Sequence, residues 1–442
     1  MEKNKIEKTK NRTLNFAKFK EKRGITLVAL VVTIVVLLIL AGVSINLIVN
    51  ENGIMKRANE GKEKYGQAAT NEARDLNTVE SWMEDQFGEA PEAATVETAP
   101  YFPDNTFTKK EGTINTGLVI QDSIGNEYVW VVVPRTKQVY NKTDLGKTTF
   151  TEADYESIEK DLQDYTNIYR DRNYSDTWCA DTANEGWFTT EQYTEAKNNM
   201  LKSVYLKGGF YVGRYEAGIE INRTANSEKD ADGKYIKPTT TPITKADVHP
   251  YTYVTRTQAQ KLAESVNSGN KTSSLMFGIQ WDLVLAFMAK DTVKIKDTTV
   301  LTTDSTTIGN YYDSTFKLRE TGKYAVYSNY NLSTTWIPAT TVTTSFVDSS
   351  LKKISKSSNG YGILLTTGTS EQNKVMNIYD IAGNVIEWTL EKDSSSRSSP
   401  CVNRGGRYND SGLQYPSSRR ESRPQTYNNG SGLIIGFRVA IY

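Results

Sequence analysis

The first strong pattern along the chain is an apolar run without a formal charge over residues 25–49, ITLVALVVTIVVLLILAGVSINLIV. At roughly 1.5 Å per residue, a helix of that length covers a hydrocarbon core of about 30 Å. The run predicts a single membrane-crossing helix. The flank before it is basic, with Lys3, Lys5, Lys8, Lys10, Arg12, Lys18, Lys20, Lys22 and Arg23 against Glu2, Glu7 and Glu21. Basic flanks stay cytoplasmic, so the rest of the chain is expected outside the cell. Residues 55–83 are charged and free of Pro, with Glu60 and Lys64 as an i,i+4 pair and Leu76, Val79 and Met83 as a modest stripe. They predict a stalk, so that one helix covers residues 25–87.

Periodicity then fails. Residues 88–111 hold Pro91, Pro100 and Pro103 among small and acidic residues, and predict a semi-extended linker. From residue 112 to 442 the pattern is that of one globular domain. Residues 127–133, EYVWVVV, and 209–216, GFYVGRYE, predict strands. Ala259, Leu262, Ala263 and Val266 fall at helical spacing, as do Trp281, Val284, Leu285 and Met288. Residues 137–200 and 220–250 read as polar, loop-rich insertions. Short strands around a pair of helices predict an α+β domain.

Composition excludes more than it selects. Lys+Arg number 53 against Asp+Glu 52, so no basic field draws in nucleic acid. Tyr is abundant at 26, a bias that suits surface recognition. Cys179 and Cys401 are the two cysteines, enough for at most one disulfide and no framework. The one histidine, His249, precedes Pro250 and reads as a loop residue. So few Cys and His argue against a structural zinc site.

The N-terminus is too long in its apolar run for a secretory signal peptide, and no small-x-small site closes it. A basic leader, then Lys22-Arg23-Gly24, then Ile25-Thr26-Leu27, resembles type IV prepilins and pseudopilins. The resemblance implies a leader over residues 1–24, cut by a prepilin peptidase between Gly24 and Ile25, with methylation of the new terminus. The family's Glu at the fifth mature position is replaced by Ala29, so the helix is expected to anchor the protein rather than join other pilins in a conventional filament.

The C-terminal third carries a second resemblance. Asn377 to Trp388, NIYDIAGNVIEW, is similar to the aGNvwEW signature of formylglycine-generating, sulfatase-modifying enzymes. Asn403-Arg404-Gly405-Gly406 is similar to their RGG segment, and Gly436-Phe437-Arg438-Val439-Ala440 to their terminal GFR-x-A. Leu275 and Trp281 stand where that family begins its LPTEAEW helix, although Met276 to Ile279 depart from it. The resemblance implies the C-type-lectin-like fold over residues 112–442. It also implies where two copper-binding thiols would sit, between the GG and the GFR. That interval, residues 407–435, has no cysteine, and the matching positions are Tyr415 and Arg420. Thiol redox chemistry is therefore not expected, and no cofactor is required. By the same resemblance, the side chains of Asp380 and Glu387 with the carbonyls of Gly383 and Val385 could form an oxygen cage for a structural Ca²⁺. The competing reading of Glu387 is a carboxylate bracing the fold against Arg404 or Arg438.

Residues 407–434, RYNDSGLQYPSSRRESRPQTYNNGSGLI, mix Tyr and Arg with Ser and Asn. Such a mix supplies rigid anchors and adaptable hydrogen bonds. The layout resembles the variable proteins of diversity-generating retroelements, which diversify residues before a terminal GFR-x-A. That resemblance implies ligand contacts at Arg407, Tyr408, Asn409, Asp410, Gln414, Tyr415, Ser418, Arg420, Tyr427 and Asn428. The resulting expectation is a non-catalytic, membrane-anchored, adhesin-like protein holding a lectin-like domain outside the cell toward a protein or glycan ligand. A purely structural minor pilin and an enzyme of altered chemistry on the same fold are the alternatives.

Overall fold

A computed structural model describes residues 100–223, 238–328, 331–339, 362–427 and 435–442. The chain divides into two units, Met1–Arg74 and Asp75–Tyr442, and every described residue belongs to the second. The expected leader, its Gly24–Ile25 processing site, the helix over residues 25–87 and the first part of the linker lie outside the described residues.

Among the described residues there are five α-helices: Glu152–Tyr165 (α1), Thr190–Lys207 (α2), Arg256–Glu264 (α3), Gly278–Met288 (α4) and Thr299–Thr302 (α5). None is long and apolar enough to cross a membrane. The reason is physical. The 18-residue α2 carries Glu191, Glu195, Lys197, Lys202 and Lys207, and the apolar α4 is only 11 residues long. That finding corrects the expected fold class, an α+β domain behind a transmembrane pilin-like helix, to a mixed α/β structure with few helices. The expectation of a single-pass membrane location is set aside with it.

One six-stranded antiparallel sheet runs, edge to edge, Thr108–Glu111, Val119–Gln121, Glu127–Val132, Gly209–Gly213, Val439–Ile441, Ser273–Leu275. The two strands predicted from sequence sit side by side in it, Trp130 opposite Tyr211. Every residue of Glu127–Val132 is buried, as befits a central strand covered on both faces. Trp130 packs edge-on against Tyr101 and Tyr211, at 5.6 and 4.9 Å between ring centres.

A second sheet runs Arg420–Arg423, Cys401–Arg404, Ile386–Asp393, Ile435–Phe437, with Tyr174–Ser175 pairing to the far end of Ile386–Asp393. It holds the EW, RGG and GFR segments as neighbours: Glu387 stands opposite Arg404 and, on the other side, Gly436. Gly405 and Gly406 leave the strand at φ +93° and +71°, a left-handed path open to glycine at little cost. That turn starts the segment expected to bind.

The insertion expected to be loops is corrected as well. Residues 152–165 and 190–207 are α1 and α2, each opened by a capping box, Thr151 with Asp154 and Thr189 with Gln192. Tertiary packing decides the rest: Ile158 and Leu162 of α1, and Met200, Leu201 and Val204 of α2, are wholly buried.

Candidate functional site

The site begins with α4. Its first two backbone N–H groups, of Gly278 and Ile279, donate to the two carboxylate oxygens of Asp176 at 2.6 and 2.8 Å. A carboxylate there answers the positive end of the helix. Burial nevertheless pushes the Asp176 carboxyl up to about 6, with Glu391 adding to the rise and Arg170 opposing it. One turn on, Trp281 donates from Nε1 to the Ser417 carbonyl at 3.0 Å, tying the helix to the candidate binding segment.

The next residue, Asp282, is the centre of an ionic cluster that sequence reasoning missed. Arg404 and Arg420 stand opposite each other on adjacent strands, two like charges side by side. Asp282 and Glu391 hold them apart and neutralise them. Arg404 donates to Asp282 Oδ1 at 2.7 Å and to Glu391 Oε2 at 3.1 Å. Arg420 donates to Glu391 Oε1 at 2.8 Å and to both Asp282 oxygens at 3.0 and 2.9 Å. Its remaining Nη1 reaches the Tyr169 carbonyl at 2.7 Å. Arg170 joins from the side, 3.2 Å from Asp282 Oδ2. Burial works to raise the Glu391 carboxyl, but Arg420 and Arg404 outweigh it and hold it below its ordinary range. Such a cluster fixes geometry more than it adds stability, because desolvation offsets much of the Coulomb gain.

Above this floor lies a cleft of about 440 Å³. One wall is the stretch from Ile168 to Asp171 with Tyr174; the other is Leu413, Gln414, Pro416, Ser418 and Arg419, with Thr302 and Thr303 at the end. Ile168 and Leu413, 54% and 60% exposed, are two of the few large apolar side chains left in solvent among the described residues. They belong to opposite walls. A second hollow of about 500 Å³ lies against α1 and α2, lined by Glu152, Tyr155, Glu191 and Asn198 among others, with no such fixed floor.

The ten residues expected to contact a ligand do not form one face. Gln414, Ser418 and Arg420 line the cleft. Arg420 is buried, with its donors turned to Asp282, Glu391 and Tyr169, so its role is to build the floor. Tyr408 is wholly buried and packs edge-on to Tyr327 at 5.4 Å, which makes it a core residue. Arg407 and Asp410 are buried against each other, 3.3 Å apart, and Asn409 beside them is half-buried. Tyr415 is half-buried, its ring under Arg419 at 5.3 Å. Tyr427 is half-buried between Trp388 and Arg423. Asn428 lies outside the described residues.

The two side chains expected around Ca²⁺, Asp380 and Glu387, have partners within the protein. Asp380, at φ +57°, accepts from the Gly368 N–H at 2.9 Å and from Asn373 Nδ2 at 3.1 Å. The Gly383 N–H donates to the Gly405 carbonyl at 2.9 Å. The Val385 N–H donates to Glu216 Oε1 at 3.1 Å. Glu387 faces Arg438, 2.7 Å from Nη2, so a guanidinium supplies its positive charge. Among the described residues no group of three or more His, Cys, Asp or Glu is placed to hold a metal.

Glu216 was not singled out from sequence. It is wholly buried, and burial, reinforced by Asp380 and Glu387, pushes its carboxyl well above the ordinary range. His249 lies in a two-residue strand with its ring against Trp336 at 4.6 Å. Cys179 and Cys401 are free thiols, and no disulfide joins them.

Compared with known proteins, the sequence matches no family model and no curated protein.

Proposed function

We propose that this domain is a non-catalytic recognition module, adhesin-like in kind, that binds a glycan or protein ligand in the cleft between residues 168–174 and 413–420. One observation carries the reading: a cleft of about 440 Å³ with adaptable polar walls stands over a floor whose side chains are locked to one another. Volumes of that order suit a small ligand or the tip of a larger one. The walls carry Gln414, Ser418, Thr302 and Thr303, which donate and accept without redox or nucleophilic power beyond that of ordinary hydroxyls. The position matched to one family thiol is Arg420, and its guanidinium cannot do thiol chemistry. The likeness to retroelement-diversified proteins points to Gln414 and Ser418 on this wall as contact residues, and the exposed Arg419 stands beside them.

The test is binding by the full-length protein across a panel of oligosaccharides and proteins, with Gln414→Ala and Arg419→Ala beside it. Weakening of a bound ligand by roughly tenfold for either variant, with unchanged thermal stability, supports the reading. Binding that survives both changes, or none across the panel, overturns it. Turnover of any bound compound would favour the enzyme of altered chemistry instead.

A further inference from the structure

Resting on that reading, we infer that the cleft selects an acidic carbohydrate, a sugar residue whose carboxylate pairs with Arg170 and Arg419 while its hydroxyls meet the polar walls. Charge at the floor is the first ground. Three guanidinium groups, Arg170, Arg404 and Arg420, share two carboxylates, Asp282 and Glu391. Asp176 also faces Arg170, but both its oxygens accept from the first N–H groups of α4, so its charge answers the helix end. Beyond it, Glu159 is taken by Lys197. Arg170 and Arg420 both line the cleft, but Arg420 commits its donors to Glu391, Asp282 and the Tyr169 carbonyl, whereas Arg170 gives Asp282 a single hydrogen bond of 3.2 Å, so Arg170 is the floor guanidinium with donors to spare.

The wall is the second ground. Arg419 is exposed and forms no ion pair among the described residues; it lies over the Tyr415 ring, which holds its guanidinium at the rim. Against these cations the lining offers one carboxylate, Asp171, already accepting from the Asn173 N–H. A chain whose charge is otherwise balanced, 53 against 52, thus concentrates arginine at one cleft. Guanidinium pairs with carboxylate through two parallel hydrogen bonds, and such bonds are about twice as strong as neutral ones.

Hydroxyl and amide groups supply the third ground. Thr302, Thr303, Gln414 and Ser418 ring the cleft, interleaved with Ile168, Tyr174 and Leu413, so that hydroxyls and amides alternate with apolar and aromatic surface as a sugar's hydroxyls alternate with its C–H faces. A pyranose ring with its dense hydroxyls fits such a lining better than an acidic peptide does.

The experiment uses full-length protein and titration calorimetry with four probes: a galacturonate trisaccharide, its neutral galactose counterpart, a sulfated trisaccharide and a glutamate tripeptide. The uronate is expected to bind at least about tenfold tighter than the neutral sugar and to weaken steeply with salt. Arg419→Gln, at an exposed position, should remove roughly tenfold of that preference; Arg170→Gln should do the same, and thermal melting checks that its floor still folds. Equal binding of the neutral sugar, or tighter binding of the sulfate or the peptide, overturns the inference while leaving a ligand-binding cleft standing. Failure of all four probes, with another ligand of the wider panel bound and competing at the cleft, also overturns it. Failure of every compound sinks the recognition reading itself.

Discussion

Arg438 Nη2 lies 2.7 Å from Glu387 Oε1, and neither side chain reaches solvent. The same guanidinium donates to the Gly213 carbonyl at 3.0 Å and the Tyr379 carbonyl at 2.8 Å, so one residue of the GFR segment ties the two sheets together through the EW segment. The pair is a structural brace. Arg438→Ala strands a buried carboxylate and two carbonyls, and should cost on the order of 3–5 kcal/mol. Adding Glu387→Ala to that variant removes the stranded charge. Urea unfolding of the double variant should therefore recover part of the loss; strictly additive losses would refute the brace.

Gly278 opens α4 where no side chain fits. A Cβ there would lie 2.5 Å from the carboxyl carbon of Glu391, and Glu391 is itself held by Arg404 and Arg420. Gly278→Ala must displace a side chain that cannot move freely. A loss of about 1–3 kcal/mol is expected, as for other overpacked sites. The displaced carboxylate also loosens the cleft floor, so weaker ligand binding should accompany the lower melting temperature. A fully stable Gly278→Ala variant would mean that the floor is not rigid.

Much of the C-terminal half was legible in the sequence because its motifs are local. The helical spacing of Trp281 to Met288 and, nearer the start, the β-type run in residues 127–132 survive in the structure, since the first is buried apart from Ala286 and the second entirely. The choice of Glu387 as a brace to Arg404 or Arg438 resolves to Arg438, and no spacing rule could have chosen, because the contact spans 51 positions. The helix Glu152–Tyr165, inside the stretch expected to be loops, carries a helical signal of its own. Tyr155, Ile158, Leu162 and Tyr165 follow helical spacing, and Thr151 with Asp154 caps the start.

The candidate site was legible only by composition. Residues 407–427 are legible as a polar stretch rich in Tyr and Arg but not as individuals, because a Tyr or Arg in such a stretch looks the same whether it faces water or the core. Tyr408 turns inward to Tyr327 and Arg420 to Asp282, while Gln414 and Arg419 stay out. Asp282 and Glu391 gave no warning: Asp282 lies in an apolar helix and Glu391 in a charged strand end that reads as exposed, yet both are buried, a state bearable only beside the arginines that the fold brings to them.

The two thiols should react very differently. Cys401 is wholly buried on its strand, and burial pushes its thiol up to about 12, with Arg256 pulling the other way. Cys179 is half-buried and accepts from Arg256 Nη2 at 3.3 Å. Thiolate is the reactive form, and access is also required. A maleimide added to native protein at pH 8 is expected to modify Cys179 at least about tenfold faster than Cys401, and to reach Cys401 only in denaturant. Mass spectrometry of the labelled peptides reads the order. Equal rates on both cysteines in folded protein would contradict the burial of the Cys401 strand.

Acid should affect stability in two opposed ways, and Asp410 separates them. Burial raises its carboxyl from 3.8 to about 6, with Arg407 opposing. A carboxyl raised on folding binds its proton more tightly in the native state, so its contribution is fullest below pH 3.8 and is lost as pH climbs through 6. Glu391, held low on balance by Arg420 and Arg404, runs the other way and loses its contribution as pH falls below the ordinary carboxylate range. Asp410→Asn removes the first effect alone. Between pH 4 and 6 the wild type should lose up to about 1.4 kcal/mol per pH unit more than the variant, one proton's worth. Urea midpoints at pH 4.5 and 7 measure it: the variant should gain on the wild type at the higher pH. The same gap at both values would mean that Asp410 titrates as it does in the unfolded chain, and that the Arg407–Asp410 pair is open to water.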